Sequence, residues 1–386
     1  MTTDQVIGAR RGSRAVMRMI VTGIGACAVV AVAFAGLLLW WSPGKPRPVL
    51  GPDGQPAAHG IWEKVRIPVN GTEQGMFLRG ADATKPVLLF VHGGPGMPEY
   101  FLDRTHPTGL EQDFIVAWWE QRGSGLSYAA GSDGATMTSN QLVDDTIAVA
   151  DCLRSRFGQD RIYLLGHSWG SFIGIQAAAR APERFLAYLG MGQVSQQRRA
   201  EMLAHQRALE TYAKAGDTVT VERLRAAPLT DAGPLPQEWL AMRDDVMHRI
   251  GIGTTRDMDS VITGVFVPVW QTPDYNVMEK IDVWRGKKRS QALLFERLLE
   301  ADLGTLVPAL EIPAYFLLGR EDYTAGYPLA KAYFRGLSAP VKGFYTFEHS
   351  AHSPAFEEPG RMRQILQTDV LHARATMADA VEGVER

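Results

Sequence analysis

Cysteine is scarce in this chain, with two in 386 residues, Cys27 and Cys152. Two thiols so placed make no disulfide framework: Cys27 lies in an apolar segment and Cys152 in a helical pattern, where it reads as a packing thiol. Net charge is also small. Forty Lys and Arg against 42 Asp and Glu leave a formal charge of -2, which excludes the basic character expected of a nucleic-acid binder. The Gly-rich run His92-Gly93-Gly94-Pro95-Gly96 has no Gly-Lys-Ser/Thr after it, and Pro95 interrupts its row of N–H groups, so a phosphate cradle is disfavoured. His349 and His352 could suggest metal ligands, but no third ligand stands at zinc-like spacing. The expectation is an enzyme without metal or organic cofactor. A hydrophobic content of 46% is enough for one large core.

Against these absences stands Leu164-Leu165-Gly166-His167-Ser168-Trp169-Gly170, an apolar strand running into Gly-x-Ser-x-Gly and then into a helical pattern at Phe172, Ile175 and Ala179. Glycines two residues either side of a serine permit a sharp strand-to-helix turn that leaves the hydroxyl exposed, so Ser168 is the candidate nucleophile. Serine alone is a weak nucleophile and needs a base, an orienting acid and an oxyanion site. Ala314 to Gly319 reads as a buried strand with Asp322 in the loop beyond it, Glu321 being the neighbouring rival. Lys342 to Phe347 reads as another strand, followed by a loop carrying His349 and His352. His352 is preferred because small Ala351 and the following Ser353-Pro354 put it at the tip of a tight loop. Val87 to Val91 is a continuous apolar run, as in a parallel strand buried on both faces, and it ends in the Gly-rich loop. The expected oxyanion donors are the N–H groups of Gly94 and Trp169.

His92-Gly93-Gly94-Pro95-Gly96, the block Trp118-Trp119-Glu120-Gln121-Arg122-Gly123-Ser124-Gly125, the serine turn and the tail Ala351-His352-Ser353-Pro354-Ala355-Phe356-Glu357-Glu358-Pro359 together resemble the proline iminopeptidase group of serine α/β-hydrolases. The likeness spans about residues 61 to 372. It implies the α/β-hydrolase fold, a mostly parallel sheet flanked by helices, and a triad of Ser168, Asp322 and His352. There are two departures: Glu120 stands where the family usually has Asp, and the Trp-Glu segment that recognises the substrate amine in prolyl aminopeptidases is missing.

Ile20 to Trp41 is uncharged and mostly apolar, long enough to cross a bilayer as a helix. Arg10, Arg11, Arg14 and Arg18 precede it, which places residues 1–19 in the cytoplasm and the enzyme outside. The alternative is a signal peptide cleaved at Ala33-Phe34-Ala35, but cleavage there would leave Leu37 to Trp41 exposed, so an uncleaved anchor over 20–41 is preferred. Residues 42–60, rich in Pro and Gly, read as a linker. The core is assigned to 61–195 and 312–386, opening on a hairpin turned at Asn70-Gly71, which explains that pair without glycosylation of Asn70. Thr138 with Gln141 reads as a helix cap with Leu142, Val149, Leu153 and Phe157 on the apolar face. Residues 196–311 are too many for a loop and read as a helical cap, with helices over Gln197–Ala215, Gln237–Arg249 and Gln291–Ala301.

Within that cap Trp239, Trp270 and Trp284 are candidates for the pocket wall or for core packing. Glu201, Glu210, Asp244, Asp245 and Glu279 are the carboxylates from which an amine site could be drawn. The expected function is acyl-enzyme hydrolysis of a peptide or amide bond in a short peptide or small molecule, with ester hydrolysis and a non-catalytic binding fold as alternatives.

Overall fold

The computed structural model describes residues 3–51, 53–131, 134 and 137–381. Its centre is an eight-stranded sheet in the order β1-β2-β4-β3-β5-β6-β7-β8. A hairpin opens it: β1 (Ile61–Val69) and β2 (Thr72–Gly80) pair antiparallel, and β2 pairs antiparallel with β4 (Ile115–Trp119). From β4 onward every neighbour is parallel, through β3 (Val87–Val91), β5 (Ile162–His167), β6 (Phe185–Met191), β7 (Ala314–Gly319) and β8 (Lys342–Phe347).

Alternate side chains of each strand go to opposite faces, so β3 divides between two cores. Val87, Leu89 and Val91 pack with helices over Ser139–Phe157 and Trp169–Arg180, whereas Leu88 and Phe90 pack with Phe356 and the helix over Pro359–Thr368. Numbered along the chain, α1 is Thr3–Trp40, α2 Tyr100–Thr105, α3 Ser139–Phe157 and α4 Trp169–Arg180. Between β6 and β7 come α5 (Gln197–Ala215), α6 (Thr218–Ala226), α7 (Gln237–Arg249), α8 (Val267–Gln271), α9 (Val277–Leu299) and α10 (Leu303–Leu306). After β7 stand α11 (Tyr327–Gly336), α12 (Pro354–Glu357) and α13 (Pro359–Thr368).

Thr138 caps α3 by accepting the N–H of Gln141, but the Gln141 side chain goes forward to Asp145 instead of back to the cap. The largest departure from the expected elements is α9. It begins at Val277, well before Gln291, because Asn276 and Glu279 form a reciprocal capping box. Helix α6, capped by Asp217, is an addition to the three expected cap helices. Trp239 is fully buried in a separate core between α5, α6 and α7, where its indole N–H donates to Glu201.

In α1, Met19–Trp40 has a mean hydropathy of 2.3 and none of it is buried, so it is long and apolar enough to cross a membrane. An anchor and a signal sequence share that property. Among the described residues of 42–60 there are isolated bridges and no regular strand, yet the stretch lies against the domain: Val49 is fully buried, and the Arg47 carbonyl accepts from Arg79.

Candidate active site

The loops at the carboxyl ends of β3, β5, β7 and β8 meet at one cavity of about 550 Å³, roofed by helices between β6 and β7. Ser168 sits between β5 and α4 at φ 54° and ψ -123°, a conformation an L-residue rarely adopts, held at a cost of order 1–3 kcal/mol. Gly170 lets this turn press against its neighbour. A Cβ there would stand 1.9 Å from the Val91 carbonyl oxygen, so the elbow and the end of β3 touch backbone to backbone.

Asp322, fully buried, accepts the Ala325 N–H at 2.9 Å and faces His352, whose Nδ1 is 3.1 Å from each carboxylate oxygen. His352 Nε2 is buried with no hydrogen-bond partner among the described residues, and His352 and Ser168 line the same cavity. In an unliganded site a base-to-hydroxyl hydrogen bond is often long and tightens only when substrate binds. Glu321, Asp322's rival, instead lies 3.8 Å from Arg207, and exposed His349 is held by its backbone N–H to Glu358. Gly94, at φ 119°, lines the cavity beside Ser168. Among the described residues neither its N–H nor that of Trp169 is spent on a backbone carbonyl.

The resembling motifs hold this arrangement together. Gln121 accepts the indole N–H of Trp169 at 3.0 Å, donates its side-chain N–H to the His92 carbonyl and receives at its own backbone N–H the lone pair of His92 Nε2. Arg122 forms a two-pronged pair with buried Asp145, at 2.7 and 2.9 Å. Glu120 accepts from the Tyr275 hydroxyl and the Leu126 N–H, and burial pushes its pKa up to about 8.

Two contributors were missed in the sequence, Glu99 and His167. Glu99 accepts the Gly93 N–H at 3.1 Å and lies 2.8 Å from His167 Nδ1, while His167 Nε2 is 2.9 Å from the His352 carbonyl oxygen. Both ring nitrogens therefore face acceptors. A neutral imidazole has one N–H to give, so with Glu99 ionised these partners suit the doubly protonated ring. Burial pulls the His167 pKa down, but Glu99 and the His352 carbonyl outweigh it and the net shift is upward. His92 is the opposite case: Nδ1 faces the Gly93 carbonyl and Nε2 a donor, which suits the neutral ring, and burial lowers its pKa to about 4. The Gly-x-Ser-x-Gly pattern gave no reason to single out its second residue, and Glu99 lies 68 positions away from His167.

Of the three cap tryptophans considered, Trp284 lines the cavity; Trp239 does not, and neither does Trp270. Of the five carboxylates, Asp244 alone does, and it pairs with Arg243 at 3.0 Å. Burial raises its pKa, but Arg243 and then Lys287 reverse this, and the net shift is downward. Glu201 is buried behind the cavity against Arg243, Gln197 and Trp239, and Glu279 pairs with Lys64. Glu210 and Asp245 are exposed.

The family model for the alpha/beta hydrolase fold matches residues 86–359. The chain belongs to the α/β-hydrolase fold family. Among its relatives in that family, a protein of Bacillus subtilis (strain 168) named a probable aminopeptidase, YbaC, is 32% identical over 317 residues, covering 79% of this chain and 95% of the relative. A proline iminopeptidase of Clostridium botulinum is 33% identical over 147 residues, which is 34% of this chain and 47% of that protein. In structure this α/β-hydrolase is similar to a proline iminopeptidase-related protein from Thermus thermophilus, with TM-score 0.56 and 19% identity over 80% of this chain and 96% of that one. The Mycobacterium smegmatis proline iminopeptidase gives the same TM-score at 18% identity, covering 81% and 98%.

Proposed function

We propose that the protein is a serine hydrolase that works through an acyl-enzyme, with Ser168 as nucleophile, His352 as base and Asp322 as the acid that orients it. The observation that carries this reading is His352 bound through Nδ1 to both oxygens of buried Asp322, with Nε2 unpartnered and Ser168 on the same cavity. His352 takes the Ser168 proton as the oxygen attacks a substrate carbonyl, and the N–H groups of Gly94 and Trp169 hold the oxyanion. His352 then protonates the leaving amine or alcohol. Water attacks the acyl-enzyme by the same route in reverse and releases Ser168.

For the substrate we infer a short peptide or amide with a free amino terminus. The Bacillus subtilis relative, named a probable aminopeptidase and aligned over most of both chains, supports this. Asp244 and Glu99 are the carboxylates on the cavity wall that could meet an ammonium group. A second reading, hydrolysis of small acyl esters, is favoured by a different observation: both cavity carboxylates are already paired, Asp244 with Arg243 and Glu99 with His167. Leaving an ammonium without a partner in such a site is costly.

Side-by-side kcat/KM values for free and N-acetylated prolyl arylamides and for short aryl esters test the choice. Loss of arylamidase activity on acetylation is the expected result, and ester hydrolysis without free-amine arylamidase activity overturns the peptidase reading. Ser168→Ala should abolish turnover and fluorophosphonate labelling; near-normal activity in that variant removes Ser168 from its role.

We further infer that Met19–Trp40 anchors the protein in a membrane with its N-terminus cytoplasmic, residues 61–195 and 312–386 outside as the catalytic core, and residues 196–311 capping it. The basic residues that precede Met19 support this orientation. A topology reporter fused after Arg386 should report the outer side.

A further inference from the structure

The point at which α1 ends is tied to one wall of the cavity. Lys280 of α9 is fully buried, and the three donors of its ammonium group go to three acceptors: the Trp41 carbonyl at 2.7 Å, the Ser42 hydroxyl at 3.0 Å and the Trp270 carbonyl at 2.6 Å. Trp41 and Trp270 thus share one nitrogen. The following residues extend the seam, for Gly44 donates to the Pro273 carbonyl, Pro43 bridges to Asn276, and the Arg47 N–H donates to Asp274. The chain leaving the apolar helix is therefore fastened to residues 270–276.

Immediately before those residues runs Ile262–Gln271, a second apolar helical stretch. Three of its apolar side chains stand partly open to solvent: Ile262 is 62% exposed, Phe266 45% and Val267 36%. Ile262 and Phe266 do so at the mouth of the cavity, which they line with Val265, and Phe266 packs on Trp284, ring centroids 5.3 Å apart. Exposed apolar side chains grouped on one short segment mark a contact surface rather than ordinary scatter. Position determines what covers it. A membrane span ends in aromatic residues at the lipid–water interface, as at Trp40 and Trp41, and Trp270, at the end of this segment, shares a hydrogen-bonding nitrogen with Trp41.

We propose that Ile262–Val267 is a lip seated in the interface of the bilayer that α1 enters, and that the cavity receives through it amphiphilic substrates partitioned into lipid. This rests on the reading of α1 as a membrane span. A lip of this kind binds by burying apolar area at the headgroup boundary, as an interfacial helix does. It also fits the wall it forms, since Val265, Phe266 and Trp284 offer an apolar path from the surface toward Ser168.

The test uses full-length protein in phospholipid nanodiscs, carrying Cys27→Ser and Cys152→Ser and one new cysteine labelled with an environment-sensitive dye. The labelled variants are Val267→Cys in the lip, Trp40→Cys in the span and Val219→Cys, 69% exposed on α6 and outside both. With doxyl-labelled lipid in the disc, the dyes at 40 and 267 should lose most of their fluorescence and the dye at 219 should keep it. Quenching at 40, with position 267 quenched no more than 219, overturns the lip and leaves the anchor standing. No quenching at any of the three positions removes the anchor, and the lip with it.

Discussion

The His167 ring supplies the sharpest test of the site's electrostatics. Its two nitrogens lie 2.8 and 2.9 Å from acceptors, so deprotonation must leave one of them facing a lone pair. A hydrogen bond from a charged donor contributes about 1.5–3 kcal/mol, and that is the stability expected to be lost when the proton leaves. The His167 pKa is raised on folding, so the contribution is complete below the ordinary histidine value of 6.5 and disappears as pH rises through the folded-state value. At this chain length a loss of that size lowers Tm by a few degrees.

Thermal melts of the full-length protein from pH 6 to 9 at fixed scan rate should show this alkaline decline. Glu99→Gln should remove it without loss of stability at high pH. The amide oxygen can still accept the Gly93 N–H while the amide nitrogen donates to Nδ1, and the neutral ring then has a partner on each side. An alkaline decline of equal size in Glu99→Gln would refute the doubly protonated ring.

Two further outcomes are expected. Asp322→Asn should lower kcat by about 10⁴ with little change in fold, because an amide turned toward Nδ1 stabilises the wrong tautomer of His352, and a loss below tenfold in steady-state assays would argue that Asp322 is not the orienting acid. Gly319→Ala should destabilise the protein by about 1–3 kcal/mol or more, since its Cβ would lie 1.8 Å from the Ala351 carbonyl oxygen and drive the His352 loop outward; an unchanged denaturant midpoint would contradict that contact.

What is legible in the sequence is local. β7 can be read to the residue because an apolar run ends in a loop with clear breakers, β8 because Phe344, Tyr345 and Phe347 cluster before the His loop, and α5 and α7 from their helical patterns. His352 is preferred over His349 from the loop itself, whereas Asp322 is preferred over Glu321 only through the family resemblance, and the structure brings Asp322 and His352 into contact. Helix α9 reads too short because its first half, with Lys280, Lys287 and Lys288, looks polar, although the Asn276-to-Glu279 cap is there to be seen. Trp239 stands between pocket and core in the sequence, since only the fold reveals Glu201 waiting for its N–H. Glu99 lies hidden for the same reason. Its partners, Gly93 in the loop after β3 and His167 at the end of β5, meet only when β3 and β5 pair.

The pairing of β6 with β7 governs how such a protein can change. Tyr188 to Met191 hydrogen-bonds directly with Ala314 to Leu317, so the whole excursion of α5 through α10 leaves and returns at adjacent strands. Its length is free of the sheet's register. Residues can be added to the excursion, taken from it or exchanged with those of another chain while β3, β5, β7 and β8 keep the levels at which their loops meet. Where the excursion packs back on the rest of the chain, as Tyr275 does on Glu120 and Glu279 on Lys64, an exchanged segment would have to bring matching partners.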